Sequence, residues 1–345
     1  ASLGGGTMTV DNSGTLTLNG SVALTGSFTQ SNGSVVLNAN ISTTNDDITI
    51  GGATTAGGLF AALNAGTGTI TLGSTFDLGA LNGTFTANDM AFLGGANSIT
   101  GTGQITLQPG AANTSIGIAG GAGTFQLSTA DLAAFADGFS LMTIGRADGQ
   151  HVINIGAVDF RDAVVIRTPS GGSITVNGEI FGADDASITL TSGGTITLGN
   201  DIITEGNEIS VSGPMVLSAS VLLDTTDGGN FAGADLTLDG DIQGTTAGAQ
   251  ALTLASGNGD ISLGGNIGTT TRLGFLTVDG DVQYAPATVI RSAGATFNGS
   301  ITGNDDITID AGAFALTLND DLNAGAGDVT LSGSTITQNG AGTGA

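Results

Sequence analysis

Cysteine, lysine and tryptophan are all missing from the 345 residues. Without cysteine there are no disulfides, thiolate metal sites or cysteine nucleophiles. Without lysine there is no Schiff-base chemistry and no lysine isopeptide cross-link. Positive charge is confined to arginine, and Lys+Arg 5 against Asp+Glu 30 gives a formal charge of −25. Nucleic-acid binding depends on clustered cations and is excluded on that ground. The same holds for anionic membrane surfaces. No apolar run approaches the ~20 residues of a transmembrane helix. The chain does not open with a signal peptide, so Ala1 is expected to be a processed N-terminus or a cut inside a longer protein. Proline is scarce too: Pro109, Pro169, Pro214 and Pro286 all fall outside the strongest repeats described next, as expected where every backbone N–H is needed for a ladder.

What the chain does have is glycine, 61 residues, together with a mean hydropathy of +0.29. Plentiful Val, Ile and Leu argue against disorder, so the glycines are expected at corners. The segment Leu236 to Ile242 reads Leu-Thr-Leu-Asp-Gly-Asp-Ile, and related heptapeptides run from Ile196 to Ile202, Leu276 to Val282 and Leu316 to Leu322, each 40 residues from the next. Weaker copies at Met215 to Val221 and Ala295 to Ile301 divide the interval into 19 and 21 residues. The unit is therefore about 20 residues. Others begin at Leu16, Val35, Ile70, Ile174 and Ile261, whereas Ala87 to Ser173 follows the pattern poorly.

In Leu236-Thr237-Leu238 the leucines point one way and the threonine the other, by the period-two geometry of a strand. Asp239-Gly240 suits a sharp corner because both residue types tolerate positive φ, and Ile242 re-enters the core. A unit this short cannot bury its apolar face alone, but stacked units complete a continuous core and a parallel ladder. The expectation is an all-β fold, a right-handed parallel β-helix (β-solenoid) with about 20 residues per turn, the hand following that of parallel crossovers. Residues 1–345 would make one elongated domain of roughly 17 turns, a rod about 80 Å long at ~4.8 Å per turn. The exception is 128–167, an irregular insertion. There Ser128 or Thr129 can cap a short helix near 129–137 that Gly138 ends, and Leu132, Phe135 and Phe139 would cover the flank or plug a widened turn.

Two groups of side chains stand out as candidate sites. Asp201, Asp241, Asp281 and Asp321 share the sixth position of the heptapeptide. If 40 residues are two turns, they form a column spaced by about 9.6 Å, a solvated acidic edge or a set of calcium ligands. The glycine-rich calcium-roll nonapeptide is absent, since Gly120-Gly121-Ala122-Gly123-Thr124-Phe125 has phenylalanine in the place of the ligand aspartate. The second group is cationic: Arg146, Arg161, Arg167 and the only histidine, His151, fall within the insertion. They can neutralise Asp159, Asp162 and their neighbours, or receive a glycan or another surface ligand. With those two aspartates they are also the one constellation a polysaccharide-cleaving enzyme could use. Nothing in their spacing is diagnostic of catalysis, and no enzyme is expected. Outward threonines at Thr197, Thr237, Thr277 and Thr317 add a third, minor surface, an ordinary solvent face or an array for ice or crystalline polysaccharide.

Through Ile-Thr-Leu-Gly-Asn-Asp-Ile (Ile196 to Ile202) and Leu-Thr-Val-Asp-Gly-Asp-Val (Leu276 to Val282) the chain resembles the repeat regions of very large bacterial surface proteins of the filamentous-haemagglutinin-like, adhesin and autotransporter-passenger type. Ala136 to Arg146 looks like an element interspersed among such repeats. The resemblance covers most of the chain and implies an exported right-handed β-helix that serves as a stalk, adhesive fibre or extracellular matrix component at the cell surface. Apart from calcium at the repeated aspartates, no cofactor is expected. No secretion-domain signature or translocator barrel accompanies it. The expected partner is another copy of the chain, or the remainder of a longer repeat chain, in a fibre that assembles through solenoid ends or flanks. The alternative is an adhesin that binds a glycan or cell-surface ligand through 128–167.

Overall fold

Short strands with alternating burial recur from one end of the described residues to the other, because Ile, Leu, Val and Phe at every second position turn inward while Thr, Ser and Gln between them turn outward. Ile188–Ser192 and Leu236–Asp239 show the pattern, with both hydrophobic positions of each strand buried and the residue between them partly exposed. The computed structural model describes residues 3–340. It is a parallel β-solenoid of about 15 turns with ~22 residues per turn and almost no helix. The turns are longer and fewer than the 20-residue spacing of the heptapeptides predicts, because many of them carry loops. The chain divides into two compact units, residues 1–158 with 162–172 and residues 159–161 with 173–345.

In the first unit three strands per turn stack on their counterparts. Val22 pairs with Ile41 and Ile41 with Leu63 on one face. Phe28, Ile48, Ile70 and Met90 follow one another on the next, and Val35, Thr54, Phe76 and Ile99 on the third. The pattern lapses where the sequence repeat does. Gln104 pairs with Leu141, 37 residues on. The intervening chain places Phe125–Leu127 as an extra strand beside Ile116–Ile118, whose other edge pairs with Val152–Ile155. The helix is one turn, Thr129–Ala133, shorter than the expected 129–137, with Ser128 as N-cap and Asp131 completing a capping box. It acts as a plug: Phe135 bridges to Ile99, and Leu132, Phe135 and Phe139 are buried. The last two rings end a chain of edge and tilted contacts running Phe60, Phe76, Phe85, Phe92, Phe135, Phe139, with centroids 5.3 to 6.4 Å apart. Such pairs add to the burial of the rings themselves.

The second unit also has three faces, and its register shows how the heptapeptide works. On the first face Ile174, Ile196, Met215 and Ile242 are in line. The second carries Ile202, Leu223 and Leu254, with Leu252, Leu276, Ala295 and Leu316 alongside. The third carries Ile188, Ile209, Leu236, Ile261, Val282, Ile301 and Leu322. Leu276, Ala295 and Leu316 stack as their spacing of 19 and 21 predicts. Ile196 and Leu236 do not: they lie on the first and third faces. Met215 is 27 residues from its partner Ile242, and Val221 is 31 from Leu252, since loops near 225–235 and 245–251 lengthen these turns. The heptapeptide is thus a strand–corner–strand module that serves at any of the three corners.

Candidate functional site

The four aspartates of the repeat follow their modules to different corners. Asp201 precedes Ile202 on the second face, Asp241 precedes Ile242 on the first, and Asp281 and Asp321 precede Val282 and Leu322 on the third. The single column expected from the 40-residue spacing does not form, because the long turns between Met215 and Leu252 break the equality of 40 residues with two turns. The acids that do share the third corner are Glu208, Asp235, Asp260, Asp281 and Asp321, each immediately before an inward apolar residue of that face, with Ser300 between the last two.

The carboxylates have a structural task. Oδ1 of Asp201 accepts from Leu222 N–H at 2.8 Å, Oδ1 of Asp241 from Asn266 N–H at 2.7 Å, and Oδ1 of Asp281 from Ser300 N–H at 2.8 Å. Asp47, Asn82, Asp235 and Asp306 do the same for Thr69, Gln104, Asp260 and Asp328. In each case the side chain reaches one turn along and satisfies a corner N–H that the strand ladder leaves over. Corners must break the ladder, and a short side-chain acceptor restores it.

The cationic group of the insertion is also occupied. In the first unit Arg146 forms a two-pronged ion pair with Asp148, Nε to Oδ1 at 2.7 Å and Nη2 to Oδ2 at 3.1 Å, and this holds the Asp148 carboxyl below its usual range. His151 is fully buried. Its Nδ1 lies 2.8 Å from Thr114 O, and its Nε2 is 3.3 Å from Arg146 N–H. That pairing requires the neutral ring with the proton on Nδ1, and burial lowers the pKa from 6.5. Arg167 Nε donates to Gly145 O at 3.2 Å and Thr168 Oγ1 to His151 O at 3.1 Å. The cluster is a clasp that ties 145–151 to neighbouring chain. Arg161 is exposed and falls in the other unit.

Sequence spacing missed a second gathering of cations, in the second unit. Arg272 Nη1 donates to Ser292 O at 2.9 Å and to Asp310 O at 2.8 Å, and its Nη2 pairs with Asp310 Oδ2. Oδ1 of Asp310 accepts from Gly312 N–H at 2.8 Å, and Arg272 beside it keeps this carboxyl below its usual range. Arg291 is the ladder neighbour of Asp310 but is exposed, with one long contact, Nη1 to Thr269 O at 3.5 Å. On the adjoining corner Phe275 and Phe314 are 45% and 57% exposed. They flank Gly294 (φ +91), where a Cβ would come within 2.8 Å of the Phe275 ring and 3.4 Å of Phe314 Cβ. Beyond them the second face presents Thr253, Thr277, Thr296, Thr317 and Thr337 in one row. Beside that row runs an amide ladder, Asn339 to Asn319 at 2.7 Å and Asn319 to Asn298 at 2.8 Å. The expected repeat of Thr197, Thr237, Thr277 and Thr317 is split over three faces, and this row replaces it. The signal that could have found the corner is two phenylalanines in outward register beside two of only five arginines.

Comparison with known proteins gives one relationship that spans the fold. The chain is 30% identical over 360 aligned positions to the Adhesin BmaC autotransporter of Brucella suis biovar 1 (strain 1330), covering 90% of this chain and 10% of that protein. The chain therefore spans about a tenth of the length of the curated relative it matches. No family model matches, and no solved structure matches.

Proposed function

We propose, on the premise that this β-solenoid is related to a repeat region of a bacterial autotransporter adhesin, that it is a non-enzymatic segment of a cell-surface protein that holds adhesive surfaces away from the cell. The observation that carries this reading is the combination of similarity over 90% of the chain with an all-parallel solenoid. In such a fold the backbone ladder and corner side chains carry the stability, and outward positions are left for contact with a partner. Display of the full chain on a non-adherent bacterium tests it. Adherence to host-cell or matrix-coated surfaces above that of the undecorated strain is expected, and equal adherence would refute it.

Assembly of copies into a fibre through solenoid flanks is the finer reading. Leu59 and Leu93, 86% and 69% exposed on the first unit, are large apolar side chains that a neighbouring copy would cover. Electron microscopy of the concentrated chain, with and without calcium, would show filaments if it holds and separate particles if it does not.

A further inference from the structure

We propose that the corner of Arg291, Phe275 and Phe314 binds a terminal sugar that carries a single carboxylate. This rests on the adhesive reading and gives that reading a ligand and a place. The natural partner of Arg291 is Asp310, its neighbour in the ladder. Both Asp310 oxygens are already engaged, Oδ2 by Arg272 and Oδ1 by Gly312 N–H. The Arg291 guanidinium is therefore left exposed, with Nη1 at 3.5 Å from Thr269 O and its other donors in a planar fork that matches a carboxylate. Arg272 is the positioning residue: by holding Asp310 it keeps Arg291 open.

The two phenylalanines supply the rest of the site. Small-molecule sites combine apolar surface with a few placed polar groups, and a pyranose ring presents a C–H face that lies flat on an aromatic ring. Gly294 admits the Phe275 ring because it has no Cβ. Thr277, Thr296 and Thr317 offer hydroxyls on the adjoining strands of the second face.

Size and charge decide the occupant. From Phe275 to Phe314 the corner spans two turns, about 9.6 Å, which accommodates one or two sugar rings. A stable protein partner needs about 800 Å² from each side, far more than this corner offers. A polyanionic glycan is disfavoured by a chain of formal charge −25, whereas one carboxylate meets one free guanidinium. The complementarity is therefore local and selects a singly charged sugar.

The test uses the full 345-residue chain in biolayer interferometry against immobilised 3′-sialyllactose, a glucuronic-acid-terminated disaccharide and lactose. Binding to at least one carboxylated probe is expected, with lactose weaker by about tenfold or more. Arg291→Gln and Phe275→Ala should each lower affinity by about tenfold, about 1.4 kcal/mol. Arg291→Lys should fall between wild type and Arg291→Gln, because it keeps the charge and loses the fork. Phe231→Ala, which removes an exposed ring elsewhere on the unit, should bind as wild type. Circular dichroism melts confirm that each variant is folded. Equal binding to lactose, or full binding by folded Arg291→Gln, overturns the proposal. Adherence by displaying cells when neither carboxylated probe is bound also overturns it, and leaves the adhesive reading standing.

Discussion

Among the described residues, His151 is a side chain whose environment ties stability to pH near neutrality. In the folded chain it is buried, neutral and bonded through both ring nitrogens, and its pKa is lowered from 6.5, by burial first, with Arg146 adding to the effect. The hydrogen bond to Thr114 and the charge of Asp148 oppose the shift. The unfolded chain thus binds the proton more readily than the folded one, so the His151 contribution is intact above pH 6.5 and is lost as pH falls through the lower, folded value. The melting temperature should decline over that interval, and in His151→Gln this part of the decline should vanish while carboxylate effects at lower pH persist. A wild-type melting curve flat between pH 7 and 5 would contradict the assignment. Histidine in the insertion was readable in the sequence, and so was its nearness to arginine. Its role as a clasp was not, because Thr114 lies 37 residues away and reaches His151 only through the irregular turn that the repeat does not describe. Glycine illustrates the same limit. Asp239-Gly240 suggested a corner that needs positive φ, and Gly240 does have φ +151. The tighter constraint is a Cβ position 2.3 Å from Gly213 O in the turn before it, a contact that local sequence cannot display.

Among the corners and strands, the heptapeptide made the fold legible and hid the register. Alternating Leu-Thr-Leu followed by Asp-Gly-Asp encodes a strand, a bend and re-entry into the core, and the structure keeps that meaning in every strong copy. Which of three corners a copy occupies depends on the loops between copies, and polar loops of variable length carry no periodic signal. The aspartate column was the casualty. Asp201, Asp241 and Asp281 act through one oxygen each as acceptors for the next turn, whereas Oδ1 of Asp321 is buried without a partner, and the first three have a predictable response to substitution. Asp281→Ala leaves two groups of Ser300, N–H and Oγ, without their acceptor, and since the site is exposed, water replaces part of the loss. A destabilisation of about 1 kcal/mol is expected. Asp281→Asn retains an acceptor oxygen and should lie within about 0.5 kcal/mol of wild type, with no change in either variant's melting temperature on adding EDTA. If Asn proved as damaging as Ala, and chelator reproduced the loss, the carboxylate would be serving a cation instead of a backbone amide.

At the scale of the whole molecule, the stacking rule makes the chain divisible in whole turns and in nothing smaller. Each turn contacts mainly its neighbours, so stability is close to a sum of turn and interface terms. Leu276 is followed by Ala295 in the ladder, and Val282 by Ile301, so residues 276–294 are one complete turn of 19 positions. Their removal would set Ala295, Thr296 and Phe297 on Leu252, Thr253 and Leu254, and Ile301 on Ile261, apolar on apolar and threonine on threonine. The shortened chain should fold with an undiminished β signal per residue and a melting temperature within a few degrees of wild type. Removal of nine residues, 276–284, leaves a turn that cannot bring its inward positions into register. A one-residue slip is enough to reverse every side chain on a strand, so this deletion should lower the melting temperature sharply or prevent folding. The contrast between the two is the informative quantity, since similar damage from both would mean that the turns are not independent units. The whole-turn deletion also removes Arg291, with Thr277 and Gly294, and leaves Phe275, Phe314 and the other threonines of the row behind. A folded shortened chain that no longer binds a carboxylated sugar would then separate the solenoid as scaffold from the corner as recognition surface, within a single variant.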